Sequence, residues 1–417
     1  MSNFSFAPGR VKYEKVLITK SDGSKASSDV TALVGEVNIF SSLIDPATIG
    51  NFYFYDAINF LSGFPIEAGD IIELFVSYPD VQKQFKFYVE KIEDIIDNQK
   101  ERTYCVKGIG ELGFRSFYTN ISRHFKGTPS DIALQIFKDN TREKFGLWDA
   151  SLGGQSLIVP YWNPIKTIKW LARRSTSIVD TTRFHFWQDS NQIYHFAPIE
   201  RMRDVYKKQN VQKFVYGRLN FMQGQDGSKR PNSEASMETI EEITYHDAFD
   251  IRNQIDKGKL GGIRFQTDLT TKTVDIVTFN YWNNFKKDKS LNGNPSWPRN
   301  DSMVNGSLQF DTVARWIAND IELNKINDIS NIRYSTLDQS QYIDIVVQGN
   351  QVTDVGHVVQ IDIVTPAPRT EQTKDILDQR WSGKYFVIAK RDMYSNDGHK
   401  MALTLSKESL ISKENKS

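Results

Sequence analysis

Short runs of β-branched and aromatic residues, separated by polar turns, recur over residues 31–117. Leu33 to Phe40 alternates apolar and polar positions, and further strand patterns run from Gly69 to Val76, from Phe85 to Ile95 and from Arg102 to Lys107. Alternation with period two is typical of antiparallel strands that bury one face. The pattern therefore predicts a meander about the size of a small barrel.

The same β pattern occurs again near the C-terminus. Gly69 opens an apolar strand and Phe87 lies in the aromatic-rich strand that follows, just as Gly356 precedes Ser382-Gly383-Lys384-Tyr385-Phe386-Val387. The residues that define this predicted structural repeat are Gly69, Phe87, Val89, Gly356, Gly383, Tyr385 and Val387. Gly69 should match Gly356, and Phe87 and Tyr385 should lie on the same face. Two unrelated meanders are the alternative, because each piece of the pattern is generic.

Between the two β regions the periodicity becomes helical. Thr128-Pro129-Ser130-Asp131 combines a capping residue, a proline suited to the first helical position and an early acid, and this helix is expected to end at Phe145-Gly146. Asn163-Pro164 opens a second helix. A hairpin over residues 183–196 follows, with an Asp-Ser-Asn turn. A third helix is predicted from Phe310 to Asn324.

Composition gives no support to nucleic-acid binding or membrane insertion. The net charge of the 417 residues is +1, so there is no basic excess that could bind phosphates through counterion release. We find no apolar stretch long enough to span a bilayer, and the N-terminus lacks a secretory signal pattern. The single cysteine, Cys105, has no internal disulfide partner, which favours synthesis in a reducing compartment.

Residues that could carry chemistry are scattered. His185 and His195 face each other across a hairpin at best, with no cysteine or carboxylate spacing to complete a metal site. Glu241 and Glu242 are neighbours on a strand and point to opposite faces, so they cannot act as an acid–base pair. Cys105 is expected to be a buried, inert thiol. We therefore expect no catalytic residue, no cofactor and no metal, and the chain is not expected to be an enzyme.

Aromatic residues make up 12% of the chain. They could fill cores, or they could be buried at subunit contacts, where Tyr, Trp and Phe concentrate. Trp282 and Trp297, both near polar loops, are the candidate interface residues.

The motifs also follow a recognisable order. A β region precedes residues 127–131, then Thr167 to Arg174, then Phe186-Trp187-Gln188-Asp189, and finally residues 382–387. Over about residues 30–405 this order resembles the central baseplate hub proteins of contractile-tailed bacteriophages of the T-even type. It is similar, more distantly, to the late-control hub proteins of other phages and to the hub part of type VI secretion spike proteins.

The resemblance implies a homotrimer in which each subunit supplies two similar barrel-like tube domains. Six nearly equivalent units would then adapt a sixfold tail tube to a threefold spike. The implied partners are a trimeric tail spike protein, the tail tube protein and baseplate wedge proteins, while DNA passes through the channel without specific binding. The implied location is the virion tail baseplate, after synthesis in the host bacterial cytoplasm. A glycan-binding or wall-degrading tail protein is the alternative.

The fold class expected is mainly β with α+β insertions: two similar barrel-like tube domains plus a smaller α+β domain. The expected boundaries are an N-terminal arm over 1–30, a first β-barrel over 31–117, an α+β domain with loops over 118–236 and 256–308, a second β-barrel over 237–255 and 309–405, and a disordered tail over 406–417. The chain ends soon after the second barrel, so any lytic activity is expected on a separate spike partner.

Overall fold

The computed structural model describes residues 11–78, 81–98, 100–177, 184–207, 211–217, 238–246, 250–256, 260–268, 272–285, 290–297, 299–300, 308–313, 341–364 and 377–411. Strands predominate over helices in this part of the chain, and a smaller α+β part lies between two β units. The predicted fold class, mainly β with α+β insertions, is confirmed.

The first β unit is built from antiparallel strands. Its elements are β1 (Lys12–Thr19), β2 (Ser27–Asp29), β3 (Val34–Ser42), β4 (Ile49–Asp56), α1 (Phe60–Gly63), β5 (Ile71–Ser77), β6 (Gln82–Asp97), β7 (Arg102–Ile109) and α2 (Glu111–Arg115). The strand order is β3-β4-β7-β6-β5-β1-β2. Alternate residues of these strands, such as Val16, Phe52 and Phe87, are fully buried and form one core.

The prediction of an N-terminal arm over residues 1–30 is wrong for residues 12–29. Strand β1 pairs antiparallel with β5, and β2 pairs with β1. Val16 and Ile18 point into the core and are fully buried. Only these two side chains of β1 show the buried alternation, and the polar residues around them concealed the strand in the sequence.

An α+β part follows the first unit. Its elements are β8 (His124–Gly127), α3 (Pro129–Asn140), β9 (Phe145–Trp148), β10 (Gln155–Ile158), α4 (Pro164–Arg174), β11 (Phe184–Gln188), β12 (Tyr194–Pro198) and α5 (Ile199–Lys207). Both predicted helix starts are confirmed. The side-chain oxygens of Thr128 and Asn163 each accept a capping hydrogen bond from the backbone amide three residues later. Helix α3 ends at Asn140, before the predicted Phe145-Gly146, because Phe145 begins a strand.

The second β unit is assembled from separated segments. The remaining elements are β13 (Lys213–Tyr216), β14 (Ile240–Tyr245), α6 (Ile251–Asp256), β15 (Gly261–Asp268), β16 (Thr273–Asn280), α7 (Tyr281–Asn284), β17 (Gly293–Pro295), β18 (Leu308–Val313), β19 (Gln341–Gln348), β20 (Val358–Ile363), β21 (Gly383–Ser395), β22 (Gly398–Lys407) and β23 (Ser409–Ile411). Strands β14, β19, β22, β21, β20 and β13 are neighbours in that order. Their inward residues, including Ile345, Tyr385 and Leu403, form a second core.

Two predictions near these strands need correction. Residues 310–313 belong to strand β18, which pairs parallel with β15, so they do not begin the helix predicted over residues 310–324. The rest of that predicted helix lies outside the described residues. Residues 406–411, predicted to begin a disordered tail, complete β22 and form β23, which pairs with β17. Lys407 and Ser409 are fully buried there. Among the described residues no helix is long and apolar enough to cross a bilayer.

Candidate assembly surface

The two β units share one strand order. The first runs β3-β4-β7-β6-β5-β1 and the second runs β14-β19-β22-β21-β20-β13. Matched position by position, the strands of each unit also follow one another in the same chain order. The outermost strand is the exception in direction, because β1 is antiparallel to β5 whereas β13 is parallel to β20.

The register of the central hairpin is the same in both units. The amide of Gly69 donates to the carbonyl oxygen of Val89 at 2.8 Å, and the amide of Gly356 donates to that of Val387 at 2.9 Å. The φ angles are +91° at Gly69 and +86° at Gly356. Such left-handed backbone favours glycine, so each unit begins its hairpin with the same residue for the same steric reason.

The aromatic residues of the repeat also coincide. Phe87 lies opposite Ile72 on β5, and Tyr385 lies opposite Val359 on β20. Both rings are fully buried, each in the core of its own unit. Phe87 and Tyr385 therefore lie on the same, inward face of their units.

Gly383 has a different role from the other two glycines. In the shared register it corresponds to Phe85, not to a glycine. A Cβ atom on Gly383 would lie 2.8 Å from Oδ1 of Asn292, which accepts a hydrogen bond from the amide of Lys384 at 2.7 Å. Gly383 thus makes room for the Asn292 side chain against β21.

The third strand of each hairpin, β7 or β22, has an ambiguous register in the sequence. In the structure, its pairing with the preceding strand is interrupted at the same position in both units. In both units a bulge lies just after the matched valine, between Val89 and Lys91 and between Val387 and Ala389. The pairs that correspond beyond the bulge are Ile92 with Val106 and Lys390 with Leu403. A β-bulge is a specific local feature, and its recurrence at one position strengthens the structural equivalence.

The two units join edge to edge within the chain. Residues 389–395 of β21, beyond the bulge, pair antiparallel with β3 of the first unit. Nη2 of Arg391 lies 3.5 Å from Oε1 of Glu36 across this junction. Tyr394 is 2% exposed and packs in the core of the first unit, where its hydroxyl lies 2.9 Å from that of Tyr78. The second unit therefore completes the core of the first.

A buried charge cluster lies at this junction. Nζ of Lys390 is 3.1 Å from Oδ2 of Asp392, and Nε2 of His399 is 2.8 Å from Oδ1 of Asp392. Burial opposes charge on both partners, but their attraction holds the pKa of Lys390 above its ordinary value and that of Asp392 below it. Burial lowers the pKa of His399 despite the neighbouring carboxylate. The cluster is therefore a charged pair with a neutral imidazole beside it.

These junction residues were missed from the sequence. Lys390 and Asp392 are polar, and alternation by itself predicts that polar residues of a strand face water. A signal was nevertheless present, since residues of opposite charge two positions apart share one face of a strand and can be buried as a pair.

Residues 91–97 of β6 and strand β14 each have a backbone edge with no strand partner among the described residues. Residues 91–97 of β6 pair with β7 on one side, while β5 pairs only with residues 82–88. Strand β14 pairs with β19 on one side, and Thr239 just before it forms an isolated bridge to Val215. These two edges lie at opposite ends of the joined units.

His185 and His195 do not face each other across the hairpin. His185 lies opposite Ala197 and His195 lies opposite Trp187, so the two imidazoles are two positions out of register. Nε2 of His195 lies 3.1 Å from Oδ2 of Asp189 in the turn. In the described part of the chain, no group of three or more His, Cys, Asp or Glu side chains could hold a metal ion.

The remaining residues singled out from the sequence contact their own chain. Trp297 is 8% exposed, and its carbonyl oxygen accepts a hydrogen bond from Nε1 of Trp282 at 3.1 Å. An interface role for these two tryptophans stays a prediction. Cys105 is buried, and burial raises the pKa of its thiol to about 11, as is typical of an unreactive cysteine.

Known structures share this architecture. No protein-family model matches the chain, and no curated protein matches its sequence. A tail protein from Neisseria meningitidis MC58 superposes with a TM-score of 0.55 at 13% identity, over 95% of this chain and 97% of that one. The 43 kDa tail protein of prophage MuSo2 from Shewanella oneidensis gives 0.53 at 12% identity, over 94% and 98%. The chain has the fold of phage tail proteins.

Proposed function

We propose that this chain is the structural hub of a phage tail baseplate. Three copies form a ring, and each copy contributes two barrel-like tube domains. We place these domains at residues 31–117, extended by β1 and β2, and at residues 237–255 together with 309–405, extended by β13. The six units would adapt a sixfold tail tube to a threefold spike.

The observation that supports this proposal most directly is the shared register of the two units. A sixfold tube presents six identical surfaces, so a threefold adaptor needs two equivalent backbones in each copy. The matched strand order, the Gly69–Val89 and Gly356–Val387 hydrogen bonds and the recurring bulge supply such a pair. The likeness to phage tail proteins along nearly the whole chain agrees with this role.

The proposed partners follow from the position of a hub. The tail tube protein binds one face of the ring, a trimeric tail spike protein binds the other, and baseplate wedge proteins surround it. DNA passes through the central channel without sequence-specific contacts. The proposed location is the tail baseplate of the virion.

Mass measurement and imaging test the proposal together. We expect light scattering to give a trimer, either for the protein alone or for its complex with the spike protein. Averaged electron micrographs of that complex should show a ring with a central channel and six similar lobes. A complex of one hub chain with one spike chain, or an assembly without a channel, would contradict the proposed function.

A further inference from the structure

The junction inside one chain shows how one unit joins the next. The bulged half of β21 in the second unit pairs with β3 in the first. In the shared strand order, β6 is the counterpart of β21 and β14 is the counterpart of β3. Both counterparts, β6 over residues 91–97 and β14, have an outer edge with no strand partner among the described residues.

The match between β14 and β3 extends to single residues. Strand β3 has a register shift between Val34 and Glu36, and β14 has the same shift between Ile240 and Glu242. The pairs that correspond after the shift are Val37 with Phe52 and Ile243 with Ile345. Both edges of the junction therefore have counterparts at defined positions.

We propose that the outer edge of residues 91–97 of β6 pairs antiparallel with the outer edge of β14 in a second copy of this chain. The register carried over from the internal junction places Glu93 opposite His246, Ile96 opposite Thr244 and Asp97 opposite Ile243. Between Glu93 and Ile96, β6 has one residue more than the partner strand because of its second bulge. This proposal rests on the proposed function only for the number of copies in the ring.

Apolar side chains are exposed to solvent at both edges, as on a surface that pairs with another chain. Ile95 and Ile96 are 56% and 55% exposed, and Tyr245 is 42% exposed. At the internal junction, Met393, the counterpart of Ile96, is partly buried. Unpaired strand edges with exposed apolar side chains favour pairing with another chain, and natural monomers avoid them.

The geometry of this contact selects a ring. The proposed contact joins two different surfaces, the β6 edge of one copy and the β14 edge of the next, so it is head to tail. Such contacts close into a ring when the rotation between copies allows it. The same backbone junction would then recur at every boundary between units, whether inside a copy or between copies.

One difference separates the two kinds of boundary. The internal junction has the Arg391–Glu36 ion pair, whereas the counterparts Glu93 and Glu242 are both acidic. Contacts between copies therefore depend on backbone pairing and apolar burial. Replacing Glu242 with Arg should tighten association about twofold to fivefold, as expected of an exposed ion pair.

Disulfide trapping tests the register. The full chain carries Ile96→Cys together with Thr244→Cys, and the matched control carries Asp97→Cys with the same Thr244→Cys. Native Cys105 is 1% exposed and should not compete. Directly opposed residues of antiparallel strands meet the distance requirement of a disulfide, whereas a one-residue slip turns the side chain to the other face. Mild oxidation of the spike-bound protein should link the first variant into covalent trimers at several times the control yield.

The outcomes separate the two proposals. A trimer by light scattering in which both cysteine variants cross-link equally or not at all would overturn the edge pairing and leave the hub proposal standing. A protein that stays monomeric with its spike partner would overturn the hub proposal itself. Weaker association of the Glu242→Arg variant would also contradict the inferred register.

Discussion

Replacing Asp392 with Asn tests how firmly the two units are joined. The substitution keeps the shape of the side chain but removes its charge. The Lys390 ammonium, 3% exposed, then loses the carboxylate that it contacts directly, while Asp354 and Asp189 still attract it. At the observed separation of 3.1 Å, an effective dielectric constant near 20 gives an attraction of about 5 kcal/mol. Loss of one partner from a buried pair costs about 3–5 kcal/mol. We expect destabilisation in that range.

Thermal unfolding measures this loss. For a unit of this size, each kcal/mol lowers the midpoint by about 2–4 °C, so the Asp392→Asn midpoint should fall by roughly 10 °C. The matched control is Asp97→Asn, which breaks an exposed pair with Arg102 at 2.7 Å and should cost about 0–1 kcal/mol. Adding Lys390→Met to the Asp392→Asn variant should recover much of the stability, because the stranded charge is then absent.

The pH dependence has a definite sign. The folded pKa of Asp392 is below its ordinary value, so the stability it contributes is present above the unfolded pKa of about 3.9 and is lost as the pH falls through the folded value. The difference between wild type and Asp392→Asn should therefore shrink below about pH 4. A midpoint shift no larger than that of Asp97→Asn would refute the view that this pair is buried and charged.

Three further predictions concern other parts of the chain. Burial lowers the pKa of Lys407 to about 7, below the unfolded value of about 10.4, so this group makes stability rise with pH between those values. Between pH 7 and pH 9, the free energy of unfolding measured by urea titration should rise by about 2–3 kcal/mol less in the Lys407→Met variant than in wild type. Gly69→Ala and Gly356→Ala, at φ +91° and +86°, should each cost about 1–2 kcal/mol, and unequal large losses would argue against their equivalence. Purified protein should not clear peptidoglycan in a turbidity assay, and lysis by a preparation free of spike protein would reveal a missed active site.

Local features of the sequence determined the local structure of this protein. Thr128 and Asn163 cap the helices that follow them, because a capping side chain needs only the next three residues. The glycine before an apolar strand and the valine of the next aromatic strand marked the hairpins of both units. Each such signal is complete within a short segment, so the sequence alone was sufficient to show it.

Tertiary structure decided the features that depend on distant partners. Residues 12–19 form a strand because their backbone pairs with β5. Residues 310–313 form part of a strand beside β15 although their sequence pattern is helical. Lys390 and Asp392 are buried where β21 pairs with β3. Their opposite charges two positions apart in β21 place them on one face of the strand, but they do not identify the element that covers that face. Hydrophobic alternation states that a face is buried, whereas the element that covers that face is chosen by packing across hundreds of residues. For the same reason, the edges of β6 and β14 that have no strand partner among the described residues are recognisable only in the assembled sheet.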